Sequence, residues 1–546
     1  MSEKNNIKTN FKTEKEFDLS ELADINFGSL EGENDEKLSL DTFFPTLSIR
    51  SVLKKRYNYI LSPKGVGKSA LFSAIKHNYL AETFFSKDKF SVIPVNKAFG
   101  NDDENLNPEN FSEDDNRKNY AISWGLYIIS QLLKDIISNH SDKENYPAFK
   151  KKIAKIEGIK DQFHLFNTLE IINQLNIGLV FNVSGQNIEL KPKFDIPQKI
   201  EKLLLNDVLD YIDEFYRVNN LSALVMVDRI DSFVSKEKQK VQKNYVQGLI
   251  DCTEEIQLFK NIRCLIFLRT DLFNSFDIKF EYDKLKERKI ELKWEESETL
   301  NFIVYRLASN DYIFKNYWGY FFKFLDEENG VKSNEKKSIY CRVTNWCRNQ
   351  LNSKKNKKHK KKDIPFKVSH KFLSIFFHNS LVEFNNVNFI DWILEDFKDS
   401  NGFVNPRVLI YFFNQLFEKQ TEYYKNNKKQ SESSKIKLIE NTPSYFQIFN
   451  EDVIISTFNH VRKEEVRNIN KLLRSNDDKL LFQAISHKSS VNGSFKIGDI
   501  RFKELGIERE VLDSLVKYLQ LLGFCKVTEN DKQKFIVPLF YQMKLE

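Results

Sequence analysis

A chain of 546 residues exceeds one compact unit at ~150 residues per domain and points to roughly three or four. Hydrophobic side chains at 41% and aromatic ones at 14%, with 48 Phe and 21 Tyr, supply enough apolar surface to offset the entropy of ordering, which excludes global disorder. The 84 Lys and Arg against 77 Asp and Glu leave a formal charge of +7, and residues 354 to 362 alone hold seven lysines; basic charge gathered in one tract does not make a duplex-coating face, though local contact with an anion stays open.

Five cysteines, Cys252, Cys264, Cys341, Cys347 and Cys525, are odd in number and lack C-x2-C spacing, so they read as reduced packing residues in a reducing compartment. The first 17 residues are polar and charged, and nowhere do 18 apolar residues run together. A cytoplasmic protein with no membrane partner is expected.

In chain order, residues 1–45 carry no sustained period and read as a loose N-terminal arm. Tyr57 to Leu61 reads as a short strand, SPKGVGKS as a loop, and ALFSAIKHNYLAETFF as a helix whose Leu71, Phe72, Ile75 and Leu80 share a face. A second strand is expected over Phe90 to Val95, then an acidic, Asn-rich surface loop over 101 to 116. Residues 119 to 175 look helical, and Ile177 to Phe194 looks like a hairpin turning at Ser184-Gly185; together these form an insertion at about 100–200. A helix around Ile200 to Tyr216 leads to a fully apolar strand over Leu221 to Val227, and another strand is expected over 263 to 271.

Strands alternating with helices imply a parallel, right-handed α/β sheet. Past Lys289 helical patterns take over, starting at Glu295, with the lysine tract as a solvated loop and a helix opened by Asn405 as N-cap and Pro406 at the first helical position. The last ~70 residues read as three helices, in KLLFQAI, IGDIRFKELG and EREVLDSLVKYLQLLG, followed by a two-strand wing around Glu529 to Gln533. The expected fold class is therefore α/β: a parallel-sheet P-loop NTPase domain over 46–290, a helical lid over 291–445 and a winged-helix-like domain over 446–546. The third helix of the last module opens with Glu508, Arg509, Glu510 and Asp513, which favours a protein-contact or structural role over reading DNA.

The strongest chemical signal is the segment Ser62-Pro63-Lys64-Gly65-Val66-Gly67-Lys68-Ser69-Ala70 between a strand and a helix. Phosphate binding needs small residues that let backbone N–H groups curl around the β-phosphate, a lysine for the β/γ oxygens and a hydroxyl for Mg²⁺. All three are there, and only the first glycine of G-x-x-x-x-G-K-[ST] is replaced, by Ser62. Such a loop demands a carboxylate from a neighbouring strand end, and Asp228, closing ALVMV, has that position; a plain strand-end cap is the competing reading. Arg229 stands where many ATPases place a glutamate that polarises water. Either Asp231 orients the water instead, or hydrolysis is slow and the protein is a switch. Arg269 at the third strand's end senses a γ-phosphate or pairs locally with Asp271. Arg407 has the position of a lid arginine, and Arg288 that of an arginine finger toward a neighbouring subunit. The eight histidines do not cluster with Cys or Glu at ligand spacing, so no zinc site is expected.

With SPKGVGKSALF, ALVMVDRIDSF, CLIFLRTDLF, the helical NPRVLIYFFN and a terminal winged helix, the sequence resembles the AAA+-related P-loop ATPases of the initiator (origin-recognition-like) and STAND type, in particular stand-alone ATPases that bacteria often keep among defence-associated genes. Motifs carry the resemblance from about 50 to 290, and element order alone carries it from 291 to 546. It implies ATP binding at Lys68 and Ser69, Mg²⁺ at Ser69 and Asp228, sensors at Arg269 and Arg407, and nucleotide-driven oligomerisation. The departures at Ser62 and Arg229 bear on turnover rather than binding. Two functions follow. One is an ATPase or ATP-gated switch acting through a homo-oligomer and a separate effector or partner protein in bacterial antiviral defence. The other is an initiator-like, ATP-dependent DNA-binding protein, with nucleic acid as a partner. A scaffold that has lost hydrolysis is a third, kept open by Arg229.

Overall fold

The runs that are apolar at nearly every position become the interior of one parallel sheet, as burial on both faces requires. The computed structural model describes residues 25–32, 35, 43–54, 57–77, 90–95, 117–154, 178–183, 186–190, 202–230, 239–275, 287–310, 313, 366–374, 376–377, 381, 387–427, 449–473, 475–496, 500, 508–528 and 534–544. The acidic stretch at 101–116, the lysine tract at 354–362, Asp231, Cys341 and Cys347 lie outside them. The chain divides into two units, Leu47–Leu292 and Met1–Thr46 with Lys293–Glu546.

In the first unit the elements run α1 (Leu47–Lys54), β1 (Tyr59–Ser62), α2 (Lys68–Lys76), β2 (Phe90–Val95), α3 (Arg117–Asn139), α4 (Tyr146–Ala154), β3 (Gly178–Val183), β4 (Gln186–Leu190), β5 (Lys202–Leu204), α5 (Leu205–Val218), β6 (Ser222–Val227), α6 (Gln239–Ile256), β7 (Ile262–Arg269), α7 (Thr270–Ser275) and β8 (Lys289–Glu291). The main sheet has the order β2-β6-β7-β1-β8. Every pairing in it is parallel, so all five strands end on one edge. Strands β1, β6 and β7 are buried along almost their whole length, and Tyr59, Val225, Cys264 and Ile266 are among the residues of their core.

Helix α6 presses on α3 at Gly248, where a Cβ would stand 2.6 Å from Tyr120 Cβ and 2.8 Å from the Ala121 amide nitrogen. Only glycine admits that approach. Beside it the buried Trp124 donates from Nε1 to Tyr245 O at 3.2 Å. The expected hairpin is present as antiparallel β3 and β4, and β5 adds to β3 in parallel. Several boundaries differ from the sequence reading. Residues 202–204 extend as a strand before the helix, and β7 stops at Arg269, where α7 begins.

The second unit contains α8 (Glu296–Ala308), α9 (Phe366–Leu373), α10 (Phe389–Asp396), α11 (Pro406–Asn427), α12 (Glu451–Leu472), α13 (Asn476–Val491), β9 (Ser494–Lys496), α14 (Arg509–Leu521), β10 (Lys526–Val527), β11 (Lys534–Ile536) and a 3-10 turn at Leu539–Tyr541. Several of its helices start at side-chain caps. Glu295 and Glu298 form a capping box, Asn450 accepts from Asp452 and Val453, and Asn405 Oδ1 accepts from Arg407 N at 3.0 Å with Pro406 first in its helix.

The described part of the arm is packed rather than loose. Phe27 stacks on Phe413 with centroids 4.5 Å apart, its N–H donates to Asn414 Oδ1 at 2.7 Å, and Asp35 pairs with the buried Arg306 at 2.6 Å. At the other end of the chain, Arg462 donates to the carbonyls of Leu539, Phe540 and Gln542 and so fixes the final turn against α12. Strands β10, β11 and β9 form an antiparallel sheet in that order. With α13 and α14 this gives a winged-helix-like arrangement in which β9, absent from the sequence reading, precedes the third helix; most of the segment read as the second helix lies outside the described residues.

Candidate phosphate-binding loop

Strand β1 delivers its last residue, Ser62, to the carboxyl edge of the sheet, and α2 begins six residues later at Lys68. The turn between them relies on two glycines in the left-handed region, Gly65 at φ 91° and Gly67 at φ 113°. An L side chain at Gly67 would be strained by that backbone, although a Cβ there would meet nothing within 4 Å. Among the described residues, then, nothing crowds that position. Gly67 is also the N-cap of α2 and brings no capping side chain, and the first turn of the helix holds no acidic residue. The positive end of the helix therefore carries no carboxylate of its own, as an anion cradle requires.

Lys68 points back along the loop. Its Nζ donates to Ser62 O at 2.9 Å, to Ser62 Oγ at 3.0 Å and to Pro63 O at 3.1 Å. Ser62 is fully buried, and its hydroxyl donates in turn to Pro63 O at 3.0 Å. Val66 is buried, while Lys64 is exposed.

Asp228 follows the last residue of β6 and is 5% exposed, a carboxylate placed in the protein rather than left on its surface. Its amide donates to Val95 O at 3.0 Å, which ties it to the end of β2. In the register Ser62 stands beside Arg269, and Val227 beside Ile266. Asp228 thus lies two strands from Ser62, about 10 Å across at the usual strand spacing, with the end of β7 between. Ser62, Asp228 and Arg269 thus stand at the carboxyl edge of the sheet, and Lys68 opens the helix that follows the loop there. Ser69 and Ala70 lie in the first turn of α2.

Arg229 is exposed and has φ 61°; with Asn220 it is one of two non-glycine residues at positive φ among the described residues. Holding it there costs about 1–2 kcal/mol, and no residue preference in the sequence announces it. Arg288, which the sequence gives the position of an arginine finger, makes an ion pair within its own chain. Its guanidinium pairs with Glu254, which also accepts from the buried Tyr59 hydroxyl at 2.8 Å. The Tyr59 hydroxyl pKa is pushed well up, by burial first and by Glu254 second. Arg407 lies in the second unit, where its Nε donates to Leu30 O at 3.0 Å.

The fold class is α/β: a parallel five-stranded sheet with helices and a glycine-turned loop after β1, followed by a helical region and a C-terminal winged-helix-like domain. No protein-family model matches the sequence, and no curated protein sequence does. Among solved structures the chain is similar to the Aeropyrum pernix ORC2 protein in its ADPNP–ADP complexes, with 11% identity over 92% of this chain and 88% of that one and a TM-score of 0.36. It is also similar to the Aeropyrum pernix ORC1 protein in complex with DNA, with 10% identity, 91% of each chain and a TM-score of 0.31. A further similar structure is Cdc6p from Pyrobaculum aerophilum, with 12% identity, 88% and 83% coverage and a TM-score of 0.23. Among the described residues no helix is long and apolar enough to cross a membrane.

Proposed function

We propose that the chain binds ATP on the loop from Ser62 to Ala70 and works as an ATP-gated switch or slow ATPase. The supporting observation is the glycine-turned loop between β1 and α2, uncrowded at Gly67 among the described residues, with Lys68 at its mouth and the Asp228 carboxylate on the same sheet edge. The residues suit a magnesium nucleotide: amides and an ammonium for phosphate oxygens, the Ser69 hydroxyl and Asp228 for the metal. When bound, Mg²⁺ would neutralise charge on the β- and γ-phosphates. Within this reading Lys68 holds the phosphates, Asp231 orients water if turnover occurs, and Arg269 and Arg407 take the sensor roles that the resemblance gives them. Residues 46–290 form the nucleotide domain, 291–445 the lid and 446–546 the winged helix. Assembly into a homo-oligomer, a separate effector and a setting in antiviral defence have the resemblance as their sole support.

Equilibrium binding of a fluorescent ATP analogue tests the reading. Lys68→Ala should weaken binding at least tenfold, about 1.4 kcal/mol or more. Equal affinity in both proteins would refute it.

A second output, contact with nucleic acid, is favoured by the wing. Lys534 lies directly across from Lys496, and Lys526 across from Ile536, so the three lysines share the exposed face of the small sheet while Phe495 and Phe535 fill the other. Like charges set opposite each other weaken a sheet, and a phosphate backbone lying on that face would offset the cost. In this reading ATP sets the conformation and the wing, rather than the acidic third helix, meets the polyanion.

A further inference from the structure

The residue that breaks the phosphate-loop pattern is also the one that holds its lysine. An ammonium carries three N–H donors. Ser62 O, Ser62 Oγ and Pro63 O accept from Lys68 Nζ at 2.9, 3.0 and 3.1 Å, so loop oxygens alone match that number. One of the three is a side-chain oxygen that glycine, the residue the pattern expects, could not supply. The Ser62 hydroxyl is polarised for the task. It donates to Pro63 O at 3.0 Å, which turns its lone pairs toward the ammonium, and the residue is 0% exposed, so water does not compete for either bond. Hydrogen bonds from a charged donor are about twice as strong as neutral ones.

We propose that Ser62 is a positioning residue that tethers the Lys68 ammonium inside the loop, so that a nucleoside triphosphate must displace the Ser62 hydroxyl before the lysine reaches its phosphoryl oxygens. The inference rests on the nucleotide reading of this loop and adds a threshold to it. The anionic ligand gains the lysine only by breaking a charge-assisted bond that the protein already makes. Ligands rich in phosphoryl oxygens overcome this threshold, and weaker anions do not. The tether favours the nucleotide-free state, and it acts at the same position where the sequence departs from the glycine pattern. Removing the hydroxyl should therefore strengthen triphosphate binding, which loss of a merely structural contact would not do.

The test pairs two measurements on the full chain, with Ser62→Ala and Ser62→Gly as alternative ways of deleting the hydroxyl. First, ATP affinity by titration calorimetry should rise in either variant by about ten- to a hundredfold, the worth of one hydrogen bond to a charged group. Second, a double-mutant cycle with Lys68→Met, read as thermal melting without nucleotide, should show coupling: each single change lowers the midpoint, and the double change lowers it by less than their sum. Unchanged or weaker ATP binding in both Ser62 variants overturns the proposal, and so does additivity in the cycle. A wild-type protein with no affinity for ATP refutes the nucleotide reading and the threshold with it. That failure is recognisable on its own, because the melting cycle contains no nucleotide.

Discussion

Four side chains converge on the Asp135 carboxylate in the first unit. Ser91 Oγ donates at 2.7 Å, Tyr216 OH at 2.8 Å and Asn139 Nδ2 at 2.8 Å, and His140 Nε2 lies at 3.3 Å. Burial by itself would raise this carboxyl, but the hydrogen bonds from His140, Ser91, Asn139 and Tyr216 outweigh it and hold the pKa below its ordinary value. A carboxyl more acidic in the folded chain than in the unfolded one stabilises the fold fully above the unfolded value of about 4, and that contribution fades as pH falls through the folded value. Asp135→Asn should lower the melting midpoint at neutral pH by an amount worth about 2–3 kcal/mol, since an amide N–H then faces other donors. The gap between variant and wild type should narrow as pH drops below about 4. A gap independent of pH would mean that charge is not involved.

The sequence hints at this site, because Asp135 interrupts a helix face whose Leu132, Leu133 and Ile136 are all buried. Lys68 and Asp228 stand out more readily, since a glycine-lysine turn after a strand and an acid that closes an apolar run are patterns of residue type and position alone. The Ser62 tether was not legible at all: a hydroxyl's partner depends on a lysine rotamer, which spacing does not encode.

Among the elements, legibility followed length. Strands β6 and β7, at six and eight residues, announce themselves by unbroken apolar character. Strands β5, β8 and β9 have three residues each, too few to display a period of two, and their pairing is set by neighbours far along the chain. The hairpin of β3 and β4 and the wing of β10 and β11 could be read despite short strands because their turn signals are local. The missed β9 supplies Lys496 opposite Lys534 and so completes the three-lysine face of the wing. Changing Lys496, Lys526 and Lys534 together to Ser should reduce the dependence of duplex DNA binding on log salt concentration by about 3. Fluorescence anisotropy across a salt series would measure it. An unaltered slope would remove the wing from any nucleic-acid role and return the winged helix to protein contact.

At the scale of the whole molecule, each unit has its own apolar core. One gathers around Tyr59, Trp124, Ile212 and Ile266, the other around Phe27, Phe377, Trp392 and Phe458. Two cores agree with a chain too long for a single one, and the alternation of strand and helix before Lys289 correctly foretold the parallel sheet. The strand order was beyond the sequence. Nothing in the spacing of the apolar runs states that β7 enters between β1 and β6, yet that insertion fixes where Asp228 stands relative to the loop.

Anomalous diffraction from crystals grown with Mn²⁺ and a non-hydrolysable ATP analogue would locate the metal directly. The account predicts one metal peak at coordination distance, about 2.1 Å, from the Ser69 hydroxyl, held from the other side by Asp228 directly or through one water, with the phosphates against Lys68. A nucleotide bound elsewhere, or Lys68 and Asp228 lining separate cavities, would contradict it.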